Sequence, residues 1–361
     1  MEQQLAQFRD QILASSRNQP LCIRGSGSKD WYGREPVGDI VNTRAYSGIV
    51  SYDPTELVIT VRSGTPLTEV ETALAQHNQM LAFEPPHFGN DATVGGMVAS
   101  GLSGPRRVAV GAVRDFVLGA ALMNGKGEIL HFGGQVMKNV AGYDVSRLLA
   151  GSLGTLGLIL EVSLKVLPKP FAETTLRLAM TEQEAVRRLN EWGGKSLPIS
   201  ASAWYDGTLA VRLSGAQAAI TAARKLIGGD EMADADNFWL AMREQSNDFF
   251  EQSNVLWRLS LPSVATPLAL EGTQLIEWGG AQRWLRTNDI SSRSADAIRA
   301  AAATVGGHAT LFRGGDKDVG VFHPLPAAVA RIQQNLQHAF DPHAIFNPGR
   351  MYASHPSHQA A

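Results

Sequence analysis

Lys29 closes the run Gly25-Ser26-Gly27-Ser28-Lys29, which follows directly on the apolar stretch Leu21-Cys22-Ile23-Arg24. Glycines at this spacing let the backbone take positive φ and turn successive N–H groups toward one point. Two hydroxyls and an ammonium add donors. Such a nest suits an anion, and a diphosphate is its natural guest; an ordinary serine–glycine turn is the competing reading. The dinucleotide pattern G-x-G-x-x-G would need glycine at position 30, where Asp30 stands, and no complete P-loop occurs in the chain. The cradle, if it is one, is of another kind.

Two further glycine segments invite the same reading. Thr93-Val94-Gly95-Gly96-Met97-Val98-Ala99-Ser100-Gly101 predicts a short helix of small residues opened by paired glycines, with N–H groups free at its start for a ligand. Gly151-Ser152-Leu153-Gly154-Thr155-Leu156-Gly157 leads into the apolar run Leu158-Ile159-Leu160-Glu161-Val162. Each segment alone is a weak signal. Their repetition beside strand-rich stretches is more persuasive.

These loops need elements to hold them. Residues 1–17 have helical apolar spacing at Leu5, Phe8, Ile12 and Leu13. Strands are expected at 21–24, 41–50, 56–62, 116–123, 128–132 and 157–167, with Asn124-Gly125-Lys126-Gly127 turning a hairpin. A helix is expected to start at Thr68, with Glu71 completing a capping box, and to end near Asn78. Residues 84–119 predict a long loop-dominated stretch, the kind that is usually functional inside a compact domain. After Pro168-Lys169-Pro170 the pattern changes to two similar α/β rounds, 174–227 and 255–312, each an antiparallel sheet covered by helices. A last helix is expected over 325–340, and a frayed polar tail from about Ala353.

The chain has 361 residues, more than one ordinary domain at roughly 150 residues each. Lys and Arg number 32 against 34 Asp and Glu, so no basic field exists to recruit nucleic acid. A small anion must be captured by a few placed cations. The single cysteine, Cys22, cannot make an internal disulfide or an iron–sulfur cluster and reads as a small buried hydrophobe. The N-terminus lacks the basic patch and apolar run of a signal peptide, and no stretch reaches the roughly 18 apolar residues of a membrane span. A cytoplasmic location is expected, with peripheral attachment at the inner face of the cell membrane left open.

The third glycine segment, its exit through Lys165-Val166-Leu167-Pro168-Lys169-Pro170, and the ending Asp341-Pro342 with Phe346-Asn347-Pro348-Gly349-Arg350 resemble FAD enzymes of the vanillyl-alcohol-oxidase family. More narrowly, Tyr52 to Thr60, Glu84-Pro85-Pro86-His87, Gly104-Pro105-Arg106-Arg107, Val113 to Gly119, Val136 to Asp144 and Gly306-Gly307-His308-Ala309-Thr310 resemble the FAD-binding subunits of bacterial glycolate oxidases. The resemblance implies an α+β protein: a two-part PCMH-type FAD-binding domain, residues 1–172 with a C-terminal return over 325–361, interrupted by an antiparallel ferredoxin-like cap over 173–324.

Carried over residue by residue, the resemblance places one pyrophosphate loop at Arg24, Gly25, Ser26, Gly27, Ser28 and Lys29. A second comprises Pro86, Thr93, Gly95, Gly96, Ser100 and Gly101. Gly111, Val117, Gly157 and Ile159 would line the adenine and ribityl side, and Asn347 would approach the isoalloxazine. Family members with covalent FAD place a histidine or cysteine near these loops. Residues 24–34 contain neither, so a noncovalent flavin is expected, with His87 close to the second segment. Arg106, Arg107 and Arg114 are expected to hold FAD phosphates or a partner.

Oxidation of a 2-hydroxy acid needs a cation for the carboxylate and a base for the hydroxyl proton. His308, Arg313 and Arg350 are the catalytic candidates, with His323 in reserve; a core histidine and ordinary arginine pairing are the competing readings. Relatives that bind a metal cluster their histidines. Here Gly307-His308-Ala309 and Gly314-Gly315-Asp316-Lys317-Asp318 lack the companion ligands, so no metal is expected. Trp278 and Trp284 read as cap core or subunit interface.

The resemblance further implies a complex with a sister flavin subunit and an iron–sulfur subunit, and a small 2-hydroxy acid, glycolate, as substrate. Within that expectation, the missing histidines favour an electron relay over substrate oxidation by this chain. A stand-alone 2-hydroxy-acid or alcohol dehydrogenase and an assembly subunit with structural FAD remain as alternatives.

Overall fold

The computed structural model describes residues 1–134, 144–289 and 291–353. Residues 136–143 of the resemblance and the histidines at 355 and 358 lie outside the described residues, as does the tail beyond Ala353.

Val58–Arg62 forms the spine of the first unit, with Val58, Ile59, Thr60 and Val61 all buried. A strand covered on both faces reads as a continuous apolar run. It belongs to an antiparallel five-stranded sheet ordered Ile49–Asp53, Val58–Arg62, Leu158–Lys165, Val117–Met123, Ile129–Gly133. One face packs Ile59, Val61, Leu122, Val162 and Leu164 against Leu67, Val70 and Leu74 of the helix Leu67–Ala75 and against Phe83, Met97 and Phe116. The alternate residues Ala121, Met123, Leu158 and Leu160 pack on the other face against Phe8 and Ile12 of the helix Glu2–Ala14 and against Leu21, Val41 and Phe346. Buried Cys22 sits here, in the parallel pair Leu21–Arg24 and Asp39–Asn42. The chain end returns to this pair: Leu21 N–H donates to Ile345 O at 2.7 Å and Asn347 N–H to Leu21 O at 2.9 Å.

Three local expectations are corrected. The stretch 41–50 is two strands, because Tyr46 N–H donates to Thr43 O at 2.9 Å and Gly48 turns the chain at φ 114°. The capping box at Thr68 does not form. Pro66 precedes the helix at the cap position, Thr68 lies inside the helix, and Glu71 bonds His87 instead. The glycine-rich stretch contains three short helices, Val94–Ser100, Arg107–Val110 and Val113–Phe116.

The second unit is one eight-stranded sheet drawn from residues 172–314. Its order is Asp230–Glu231, Ala172–Ala179, Thr208–Gly215, Ile199–Tyr205, Thr273–Glu277, Gln282–Thr287, Val255–Ser260, His308–Gly314. The first four strands are fourth, first, third and second in their own half; the last four are second, third, first and fourth in theirs. Two ferredoxin-like halves are therefore joined edge to edge by their second strands, at Ala203↔Glu277 and Trp204↔Ile276. The two rounds expected from sequence are these halves.

Period-two alternation sorts the side chains. Trp257, Leu259, Leu285, Ala309 and Leu311 pack with Ala295, Ile298 and Ala302 of the helix Ser292–Thr304. Leu256, Leu275, Trp284 and Phe312 occupy the opposite face, where they meet Tyr32, Leu102 and Leu153 of the first unit. An ionic network built on two buried arginines fastens the two units. Glu84 pairs with Arg106 at 3.3 Å and Arg212 at 2.8 Å, and Arg106 reaches Glu173 at 2.7 Å.

Candidate flavin and substrate site

The loop after Leu21–Arg24 is held by its own ion pair. Arg24 Nη2 lies 2.6 Å from Asp30 Oδ2, and the guanidinium covers Gly27, whose φ is 80°. A Cβ at Gly27 would stand 2.4 Å from Arg24 Nη2. The Arg24 Nε is buried and has no hydrogen-bond partner among the described residues. Nor, among them, do the amides of Gly25, Ser26 and Gly27 find an acceptor within the chain. Lys29 Nζ bonds His87 O at 3.1 Å and Ser28 Oγ at 3.4 Å. Burial lowers its pKa from 10.5 to about 8, with the Glu244 carboxylate opposing that shift. Free donors, a buried guanidinium nitrogen and a desolvated ammonium fit a diphosphate.

The second segment behaves differently from its expectation. Thr93 caps Val94–Ser100 by accepting from Gly96 N, Val94 N donates to Thr65 O, and Gly95 N donates to Ser63 O. The amides at the helix start are thus spent inside the chain. Ser100 Oγ likewise donates to Met97 O at 2.9 Å. What the glycines supply here is close approach. A Cβ at Gly25 would stand 2.3 Å from Thr93 Oγ1, one at Gly95 2.7 Å from Ser63 Cβ, and one at Gly101 2.8 Å from the Gly151 backbone.

The third segment closes against the C-terminal return. Asn347 donates from Nδ2 to Leu153 O at 2.6 Å and accepts from Ile23 N at 2.8 Å. Its amide is therefore a brace between two segments. Arg350 donates to Arg34 O and to Lys29 O, so this buried guanidinium holds the first loop and is not offered to a substrate. The segments at 23–29, 93–101, 151–154 and 347–350 form a closed ring of contacts.

Beside this ring lies a cleft between Pro86, Phe88, Leu102, Ser103, Gly104 and Pro105 of the first unit and the sheet face of the second. Arg258, Glu277, Gln282 and Trp284 line it, with Phe312 at its wall. The register explains the grouping: Arg258 faces Trp284, Gln282 faces Glu277, and all four share one side of the sheet. Arg258 donates to Tyr32 OH at 3.0 Å, stacks on Tyr32 and Phe312, and pairs with no carboxylate among the described residues. Glu277 is 4% exposed. Its Oε2 accepts from Trp284 Nε1 at 2.6 Å and Gln282 Nε2 at 3.1 Å. Burial pushes this carboxyl up to about 7; the two donors oppose the shift and the Glu84 charge adds to it.

Of the catalytic candidates, Arg313 adjoins this cleft. It donates to Gln245 Oε1 at 2.8 Å and stacks on Trp31 and Phe88. His308 starts an edge strand, is exposed, and has its pKa lowered by partial burial and the charge of Arg258. His323 lies with it, ring centroids 6.4 Å apart, and Arg350 is the brace described above. Among the described residues, no group of three or more His, Cys, Asp or Glu could hold a metal ion.

Residues 12–133 match the family model of the FAD binding domain. Over 340 residues the chain is 51% identical to the glycolate oxidase subunit GlcE of Escherichia coli (strain K12), spanning 94% of this chain and 95% of that one. The chain belongs to the GlcE family. It carries an FAD-binding domain, and FAD is its cofactor. It is also 33% identical to the glycolate oxidase subunit GlcD of Bacillus subtilis (strain 168), over 47% of this chain and 36% of that one. Similarity to a D-lactate dehydrogenase of Archaeoglobus fulgidus is 31% over 52% of the chain and 42% of the relative. An alkyldihydroxyacetonephosphate synthase shares the fold, with a TM-score of 0.65 over 92% of this chain and 72% of that one at 15% identity.

Several FAD-contact expectations take a new form. Val117 and Ile159 point into the sheet core, which leaves their main chain as the part able to meet a ligand. Gly157 serves the approach to Met123 O, 2.8 Å from where its Cβ would be, and Gly111, at φ 105°, abuts Asp115, which caps the next turn. Pro86 lines the cleft and not the loop ring. Arg106 is absorbed by Glu84 and Glu173 and is not free for a phosphate, whereas Arg107 lies 4.3 Å over the Trp278 ring. Exposed Arg114 stays beside Asp115. His87 is fixed by Glu71 at 3.1 Å.

Sequence reading missed Arg258, Glu277 and Gln282. The signal available was alternation: once 282–287 is a strand beside 273–277, Gln282, Trp284 and Glu277 must share a face. Trp284 is core, as read, and it also donates to Glu277. Trp278 is buried too, but its indole N–H reaches Gly104 O at 3.1 Å, joining the two units.

Proposed function

We infer that this chain is the FAD-carrying subunit of a glycolate oxidase complex, binding FAD noncovalently and passing electrons from glycolate toward an iron–sulfur partner. The observation that supports it most is likeness to the Escherichia coli subunit along nearly the whole of both chains, not the flavin domain alone. We place the flavin domain at 1–172 with its return at 325–361 and the cap at 173–324. A sister flavin subunit and an iron–sulfur subunit are the partners. Among the described residues no helix is long and apolar enough to cross a membrane, and we place any peripheral association at the inner face of the cell membrane in the complex.

FAD, when bound, supplies the acceptor for the electrons of the alcohol carbon. The protein's part is to hold the diphosphate with Arg24, the Gly25–Gly27 amides and Lys29, and to hold the substrate in the neighbouring cleft. Arg258 is the cation for the carboxylate, since it stands in the cleft without an anionic partner. This cleft favours substrate oxidation by the chain itself over a relay role. The test is the visible spectrum of the purified chain, recorded anaerobically before and after glycolate. Bleaching supports oxidation here. A flavin that bleaches only after the partner subunits are added assigns the chain the relay. A chain that takes up no FAD overturns the proposal.

A further inference from the structure

The sequence singled out histidines and arginines, but the most buried ionisable group lining the cleft is a carboxyl. Glu277 ends the strand Thr273–Glu277, at the seam where the two halves of the eight-stranded sheet meet. Its Oε2 is occupied by Trp284 and Gln282, whose own positions are fixed by the register of the next strand. Its Oε1 makes no hydrogen bond among the described residues, and the residue lines the cleft. One carboxyl oxygen is thus braced inside the sheet face, while the other is left for whatever occupies the cleft.

We propose that Glu277 is a specificity-determining residue whose Oε1 shares a proton with the ligand in this cleft, so that capture of a small carboxylate depends on whether Glu277 is protonated. This rests on the proposed function for the class of ligand, a 2-hydroxy or 2-oxo acid. Arg258 lies on the strand beyond that of Gln282, opposite Trp284, and both Arg258 and Glu277 line the cleft, so an anion held there lies between a cation and a carboxyl. The charge that acts on Glu277 is Glu84, from the turn before Pro85; Arg243, from the helix Ala235–Glu244, and Arg258 line the same cleft, and Arg107 lies over the neighbouring Trp278 ring. A protonated Glu277 donates to the anion; an ionised one repels it. Anion binding favours the protonated form, so affinity holds at low pH and declines as pH rises through about 7, where this carboxyl titrates in the free chain.

The probe is oxalate, an unreactive dianion with acceptor oxygens only, titrated calorimetrically into the FAD-loaded chain between pH 6 and pH 8. The wild type is expected to bind about 10-fold more weakly at the upper end, from the separation of protonation states. Glu277→Gln is expected to hold affinity within about 2-fold across the range, because its amide cannot ionise. Trp284→Phe is a second variant: it removes a donor that stabilises the ionised form, and so moves the break to higher pH. Identical pH profiles in the wild type and Glu277→Gln, with binding abolished by Arg258→Leu, would overturn the role of Glu277 and leave the hydroxy-acid reading standing. No oxalate binding by the wild type at any pH would overturn both.

Discussion

Arg106 and Glu173 lie 2.7 Å apart, the guanidinium after the glycine-rich segment of the flavin unit and the carboxylate on the first strand of the cap. Glu84 adds the second anion and also holds Arg212, and both arginines are buried. Two cations and two anions therefore form the joint between the units. Removing one partner of a buried pair costs more than the pair contributes, because a desolvated charge is left behind. Glu84→Gln is expected to destabilise the chain by about 3–5 kcal/mol in denaturant titration. A loss within the error of the wild type would show the joint to be solvated.

Gly25 and Gly101 test whether backbone contact builds the flavin site. Gly25→Ala sets a methyl 2.3 Å from Thr93 Oγ1, and Gly101→Ala meets the Gly151 backbone at a φ of 66°. Both should lower FAD affinity at least ~10-fold, or about 1.4 kcal/mol, in a fluorescence titration of the apoprotein. An alanine variant that loads FAD like the wild type would remove its segment from the site.

Lys29 gives FAD binding a pH signature. In the free chain its pKa is lowered to about 8, whereas a bound diphosphate favours the ammonium and raises it again. Binding then takes up a proton above that pH. Affinity should be level below about 8 and fall as pH rises beyond it. In Lys29→Met the affinity should be weaker and level throughout, and a persisting decline would assign the effect to another group.

Asn347 carries stability. Asn347→Ala strands the Ile23 amide and the Leu153 carbonyl in a buried position, a loss of about 1–3 kcal/mol for each unsatisfied group. The thermal midpoint should drop by several degrees, with FAD occupancy falling alongside. Asn347→Asp should restore only the acceptor side.

The strands, the hairpin and the double pattern of the cap were legible because burial alternates with the pleat and glycine marks the turns. Capping at Thr68 was misread because Pro66 decides where that helix can start. The donor-rich loop was legible in Gly25 to Lys29. The role of Asn347 was not, since its partners lie at Ile23 and Leu153, far away in the chain. Glu277 was hidden for a different reason: among apolar strand residues, one glutamate looks like an edge. Only the pairing of Glu277 with Gln282 and of Arg258 with Trp284 shows that these polar side chains face inward together.

The closed ring of contacts around the first loop has a consequence for how the protein comes to exist. Its earliest member, Ile23, is made long before Asn347 and Arg350, at about 5–20 residues per second during synthesis. For roughly tens of seconds the nascent chain has its first loop and no brace behind it. Until residues 347–350 have been added, the first loop stands without its brace, so closure of the ring is deferred to a late stage of synthesis.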